Sequence, residues 1–175
     1  LVKDLTVNKN QSIKEKSILV IGAGGASRGI LPSLLKEQPK SIIIANRTVE
    51  KAEGIAKEFS SKALQTSKSS NLIASSLSFE ALKDFEFDVV INATSVSTNP
   101  SQNLNLDESV FRNTSLALDL YYSQAFTPFM DLADRAKVPI VIDGWGMLVE
   151  QAAESFFLWT GFKPDTSELI AKHGE

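Results

Sequence analysis

The feature that most constrains the fold is a series of short apolar runs without polar alternation, most of them followed by a stretch of helical periodicity. S-I-L-V-I at Ser17–Ile21 precedes a helical pattern at 26–37, and S-I-I-I-A at Ser41–Ala45 precedes another at 49–59. Further runs at 88–91, 116–120 and Ile140–Ile142 are interleaved with helical patterns at 127–137 and 147–160. An alternating strand keeps one wet face, whereas an unbroken apolar strand needs cover on both. The order therefore predicts an α/β fold with a doubly wound, mainly parallel sheet and helices on both faces. S-I-L-V-I, S-I-I-I-A and V-P-I-V-I are expected in the middle of that sheet. The Ser/Lys-rich stretch 60–76 reads as a polar connection around one short strand near 63–65. Thr127 before Pro128 reads as an N-cap followed by a first-turn proline.

Composition narrows the function classes. A chain of 175 residues allows one ordinary domain with a short extra piece. Eighteen Lys and Arg against 21 Asp and Glu leave a net charge of -3, without the basic footprint of a nucleic-acid binder. No cysteine and a single histidine exclude disulfides, iron–sulfur clusters and imidazole-built zinc sites, and argue against a Ser-His-Asp hydrolase, so no metal is expected. No apolar run approaches the roughly 18 residues of a membrane span, and residues 1–16 lack a signal-peptide core. A soluble, cytoplasmic protein with neither membrane nor nucleic-acid partner is expected. The chain opens on Leu1, and Leu1-Val2-Lys3-Asp4-Leu5 reads as the last turns of an amphipathic helix, so a fragment of a longer protein is expected.

The first apolar run ends in Gly22-Ala23-Gly24-Gly25-Ala26-Ser27-Arg28-Gly29, and a helical pattern follows at once. That is the context of a dinucleotide-binding, Rossmann-like loop. Gly22 permits the tight turn out of the strand, and Gly24 lets the backbone approach a pyrophosphate stabilised by the helix N-terminus. Ser27 occupies the third glycine position of the fingerprint, and taken alone these glycines would also serve a plain strand-to-helix turn. The second run ends in Asn46-Arg47-Thr48, with no carboxylate to hold a ribose 2′-hydroxyl. Arg47 offers a planar fork for a 2′-phosphate and Lys51 adds charge from the next helix, so NADP is the expected cofactor unless both are plain surface charges.

These blocks resemble the shikimate dehydrogenase family, in its carboxyl-terminal NADP-binding domain. The resemblance covers nearly the whole chain. It is carried by the Gly22 to Gly29 loop, the Asn46-Arg47-Thr48 clasp, Ile91-Asn92-Ala93-Thr94-Ser95, Asp119-Leu120-Tyr121-Tyr122 with Thr127-Pro128-Phe129, and the block from Asp143 through Gly144-Trp145-Gly146-Met147 to Gln151-Ala152-Ala153. It implies that Ala23, Gly24, Gly25 and Ala26 cradle the pyrophosphate, and that Asn46, Arg47, Thr48 and Lys51 hold the 2′-phosphate. It further implies that Ala93 and Thr94 line the cleft, that Leu120, Gly144 and Met147 position the nicotinamide, and that Tyr122 and Gln151 reach the substrate. Ser97 stands where the family motif usually carries Gly, which leaves the conformation of that loop open.

The reaction so implied is reversible, NADP-dependent reduction of 3-dehydroshikimate to shikimate in aromatic amino-acid (chorismate) biosynthesis. The catalytic Lys and Asp of the family belong to an amino-terminal domain with no counterpart in this sequence, so no catalytic residue is assigned here. The expected organisation is 1–16 as the end of a connecting helix and lead-in, 17–162 as the cofactor domain and 163–175 as a C-terminal helix. The chain is expected to bind NADP(H) without turnover, sharing its substrate with the absent domain. A quinate/shikimate dehydrogenase, a more distant glutamyl-tRNA reductase and a non-catalytic NADP-sensing module are the competing readings. Asp119 and Asp143, at strand ends, are expected to cap backbone amides. Phe156, Phe157, Leu158 and Trp159 make the late helix apolar nearly all round, which implies burial by the sheet, the absent domain or a second copy, and leaves the oligomeric state open.

Overall fold

The computed structural model describes residues 1–66, 74–98 and 104–173. Among them six strands form one parallel sheet: β1 (Ser17–Ile21), β2 (Ser41–Ala45), β3 (Ala74–Leu77), β4 (Val89–Asn92), β5 (Leu116–Asp119) and β6 (Ile140–Ile142). Their spatial order is β3-β2-β1-β4-β5-β6, so the chain reverses its direction of travel between β1 and β4. That switch point is where open α/β sheets bind their ligands, outside the carboxyl ends of the strands. Register places Ile21 beside both Ala45 and Asn92, and Asn92 beside Asp119, which brings four strand ends level on one rim.

The helices are α1 (Gly25–Lys36), α2 (Val49–Thr66), α3 (Pro128–Arg135), α4 (Trp145–Thr160) and α5 (Ser167–Ala171). Two cores sandwich the sheet, because neighbouring residues along each strand point to opposite faces. Ile18, Val20, Ile42, Ile44, Val89 and Ile91 pack against Leu31 and Leu34 of α1 and Ile55 of α2. Leu19, Ile21, Ile43, Val90 and Ala117 pack on the other face against Phe87, Phe111 and Phe129. Thr127 caps α3 by accepting the Met130 N–H at 3.2 Å, with Pro128 in the first turn. Among the described residues no helix is long and apolar enough to cross a membrane.

An N-terminal π-helical turn, Asp4–Asn8, lies against α4. Asp4 is buried, and its carboxylate presses so closely on Gly146 that a Cβ there would fall 2.1 Å from Oδ1. A negative charge beside the first turn of α4 also suits the helix dipole. One turn on, buried Glu150 accepts bonds from Lys3, from Asn8 Nδ2 at 3.1 Å and from Thr166 Oγ1 at 2.8 Å. Burial alone would push the Glu150 carboxyl up, but these donors outweigh it and hold the group below the usual carboxylate range. The first residues of the chain, α4 and the C-terminal segment are thereby tied together.

Two expectations need correction. The short strand lies at Ala74–Leu77, not near 63–65, which falls within α2, so that helix continues from 59 to Thr66. V-P-I-V-I does not run through the middle of the sheet: β6 is the half-buried edge strand, and Pro139, lacking an N–H, suits an edge. Of the three covers considered for the end of α4, the sheet is not one: Leu158 and Trp159 are 80% and 83% exposed, and Phe156 and Phe157 are exposed as well. Smaller shifts occur at the ends of elements: the strand expected at 88–91 is Val89–Asn92, and the last helix is Ser167–Ala171.

Candidate cofactor site

Three stretches distant in sequence converge at the switch point. A cavity of about 480 Å³ is lined by Gly22, Ala23, Gly24, Gly25 and Ala26 from the loop after β1, Asn46, Arg47, Thr48 and Lys51 after β2, and Ala93, Thr94 and Ser95 after β4. Gly22 has φ +109°, and a Cβ there would come within 2.9 Å of the Ala93 carbonyl oxygen, so the turn needs glycine for both conformation and space. Its N–H donates to Ala45 at 2.7 Å, which fixes the loop to the end of β2. Ser27, in place of the third glycine, is fully buried and donates its hydroxyl to the Gly22 carbonyl at 2.7 Å. The departure from the fingerprint thus adds a clasp across the turn.

The N-cap of α1 is Gly24, with no side chain bonded to the first-turn amides. Such an N-terminus favours an anion through its free N–H groups and its dipole. Arg47 and Lys51, both exposed, have no ion-pair partner among the described residues. Asn46 Nδ2 donates to the Thr48 carbonyl at 2.9 Å and shapes the turn that aims them. Amides, two uncompensated cations and a glycine floor fit a dinucleotide that carries an extra phosphate.

The β4 and β5 ends are joined beneath this rim by buried Asp119. It accepts bonds from Asn92 Nδ2 at 3.1 Å, Thr127 Oγ1 at 2.7 Å, the Tyr121 N–H at 3.1 Å and the Ser97 hydroxyl. Asn92 Oδ1 in turn accepts the Thr94 hydroxyl at 2.7 Å and the Thr94 N–H at 3.1 Å. Asp119 is therefore a cap and hub, as expected of a strand-end carboxylate. The loop that the Ser97 substitution left open forms a short 3₁₀ turn, Val96–Thr98, and Ser97 takes no positive φ.

The remaining candidates do not line that cavity. Gly144 meets Leu120 so closely that a Cβ would fall 2.1 Å from the Leu120 carbonyl oxygen, and its N–H donates to Tyr121 at 3.1 Å. Met147 and Gln151 line a second cavity of about 440 Å³ with Leu1, Lys3, Ala26 and Glu150, so Ala26 borders both. Tyr122 lines a third, of about 560 Å³, with Ser123, Trp145, Leu169 and His173. Tyr122 and Gln151 thus line different cavities. Sequence reasoning missed Glu150, Trp145 and His173, whose partners lie far along the chain and leave no local pattern.

Comparison with known proteins gives the family. Residues 4–121 match the family described as Shikimate / quinate 5-dehydrogenase, and residues 144–171 match the Shikimate 5'-dehydrogenase C-terminal domain. The chain belongs to the shikimate/quinate dehydrogenase family. Over 170 residues it is 41% identical to "Shikimate dehydrogenase (NADP(+))" of Nitrosospira multiformis, covering 97% of this chain and 58% of that protein. The crystal structure of an Ael1 enzyme from Pseudomonas putida superposes with TM-score 0.83 at 35% identity, covering 99% of this chain and 60% of the other. A shikimate dehydrogenase crystallised in complex with NADP+ gives TM-score 0.72 at 33% identity, over 93% of this chain and 56% of that one. The chain spans somewhat under two thirds of the length of these relatives.

Proposed function

We propose that this chain is the NADP-binding part of a shikimate dehydrogenase, an oxidoreductase that reversibly reduces 3-dehydroshikimate to shikimate with NADPH. The observation that carries the reading is the 480 Å³ cavity, where a glycine turn at an uncapped helix start faces Arg47 and Lys51. The amides of Gly24, Gly25 and Ala26 would hold the pyrophosphate, and Arg47 and Lys51 the 2′-phosphate, with Arg47 the stronger because its fork can bond two oxygens at once. Ala93 and Thr94 would wall the cleft, and Leu120, Gly144 and Met147 would set the nicotinamide end. When bound, the cofactor supplies hydride chemistry. Tyr122 and Gln151 would approach the substrate from this side.

No proton-handling pair is assigned within the chain, so the 175-residue polypeptide is expected to bind NADPH while turning over shikimate and NADP undetectably. Titration with NADPH and NADH, with and without Arg47→Ala, tests the cofactor assignment. The unsubstituted chain should prefer NADPH, and the variant should lose about 1.5 to 3 kcal/mol of NADPH binding, the value of a charge-assisted contact, with NADH unaffected. Equal loss for both nucleotides would remove Arg47 from the 2′-phosphate clasp. Ordinary turnover by the chain alone would refute the assignment of catalysis to residues elsewhere.

A further inference from the structure

The C-terminal segment meets the site through one aromatic and ionic junction. His173 stacks on Trp145, ring centroids 5.0 Å apart and planes 15° from parallel, and its Nε2 lies 2.7 Å from Asp143 Oδ2. Against a carboxylate acceptor that nitrogen carries the proton. Trp145 also donates its indole N–H to the Leu169 carbonyl at 3.3 Å, and its ring lies 5.8 Å from that of Tyr122. Asp143 divides its remaining bonds between two segments: Oδ1 accepts the Trp145 N–H at 3.2 Å, and Oδ2 accepts the Ser123 N–H at 3.1 Å. Lys172, next to His173, is engaged by Glu168 at 2.6 Å.

A carboxylate this buried, its side chain 8% exposed, keeps its orientation only while donors satisfy it. Two of its partners are the backbone of the turn that carries Gly144 and of the loop that carries Tyr122, and His173 is the side-chain donor. We propose that His173 is a positioning residue. Through Asp143 it locks the Gly144 to Met147 turn to the Tyr122 loop, and through Trp145 it supports the Tyr122 ring. The inference rests on the nicotinamide and substrate-side roles proposed above. Loss of the His173 donor frees Asp143 to turn toward water and release its backbone N–H partners. The consequence falls on the nicotinamide end of the cofactor, while the adenosine end, held at Arg47 and Lys51, is untouched.

The test compares NADPH with adenosine 2′,5′-bisphosphate, which lacks the nicotinamide, on the 175-residue chain carrying Trp159→Phe so that Trp145 alone reports by emission. His173→Phe keeps a stacking ring without a donor and should weaken NADPH about fivefold, leave the bisphosphate within about twofold, and abolish the Trp145 emission change on NADPH binding. His173→Gln, which retains a donor, should restore most of the NADPH affinity, and Asp143→Asn should reproduce the His173→Phe pattern if that variant folds poorly. Equal weakening of both ligands, or of neither, overturns the positioning role. If the parent chain binds neither ligand, the cofactor reading fails and this inference with it. If it binds the bisphosphate but gains nothing from the nicotinamide, the nicotinamide placement alone fails and again removes the inference.

Discussion

Along the carboxyl edge of the sheet, the β1, β2 and β4 ends close one cavity from three separate stretches of chain, whereas the β5 and β6 side holds its candidate residues apart. Every side chain and amide expected at the pyrophosphate and 2′-phosphate lines the first cavity. Tyr122 and Gln151 line two others. The first half is fixed by backbone: a positive-φ glycine, a strand register and a helix start. The second hangs on side-chain networks centred on Asp119, Asp143 and Glu150, which join loops to segments near both ends of the chain. In the reading proposed here, the cofactor half is preformed by the backbone, and the substrate half rests on side-chain bonds between distant segments.

The largest effect expected from a substitution is at a backbone contact within the β5 and β6 side. Gly144→Ala drives a methyl group into the Leu120 carbonyl and should cost about 3 kcal/mol in urea denaturation, with loss of NADPH binding. Tolerance of alanine would mean that this backbone contact yields easily and that the β5 and β6 side is adaptable throughout. Glu150→Gln should cost about 2 kcal/mol near neutral pH by leaving Lys3 without its carboxylate and weakening the bonds from Asn8 and Thr166. Because the Glu150 carboxyl is held low, its contribution is full above the ordinary glutamate value of about 4.3 and fades as pH falls through the depressed one. The stability gap between parent and variant should accordingly shrink in acid; a gap that widens would contradict the network. The smallest effect is on the preformed side: Ser27→Ala removes one buried hydroxyl from the Gly22 carbonyl and should cost about 1 kcal/mol, with NADPH binding weakened and Trp145 emission unmoved. A change in that emission would show that the two rims communicate.

The sheet and its switch-point loop were legible in the sequence because strands covered on both faces leave unbroken apolar runs, and because the glycine loop at Gly22 stands directly between the first such run and a helical pattern. β3 was misplaced because A-S-S-L carries almost no apolar signal; its identity comes from pairing with β2, Ala45 beside Leu77, which no local pattern records. The run at β6 misled for the opposite reason, since its three residues are apolar yet lie at an edge and are only half-buried. For the site, the residues after β1, β2 and β4 could be read from loop positions alone. Glu150 and His173 could not, because an ordinary helix glutamate and a terminal histidine acquire meaning only from Asn8, Thr166 and Asp143, far away along the chain.

The wholly parallel sheet also governs how the molecule comes into being. Among the described strands no two neighbours are joined by a hairpin, and β1 at the centre must find β4, Ile18 beside Val89, across most of the first half of the chain. Each ladder forms only after a long excursion has closed, so the entropy of closure is lost before pairing returns anything. The rim that holds the glycine turn, built on β1, β2 and β4, is therefore a late product of folding: nucleotide-binding competence should arise with the last cooperative phase of refolding and not with early helix formation.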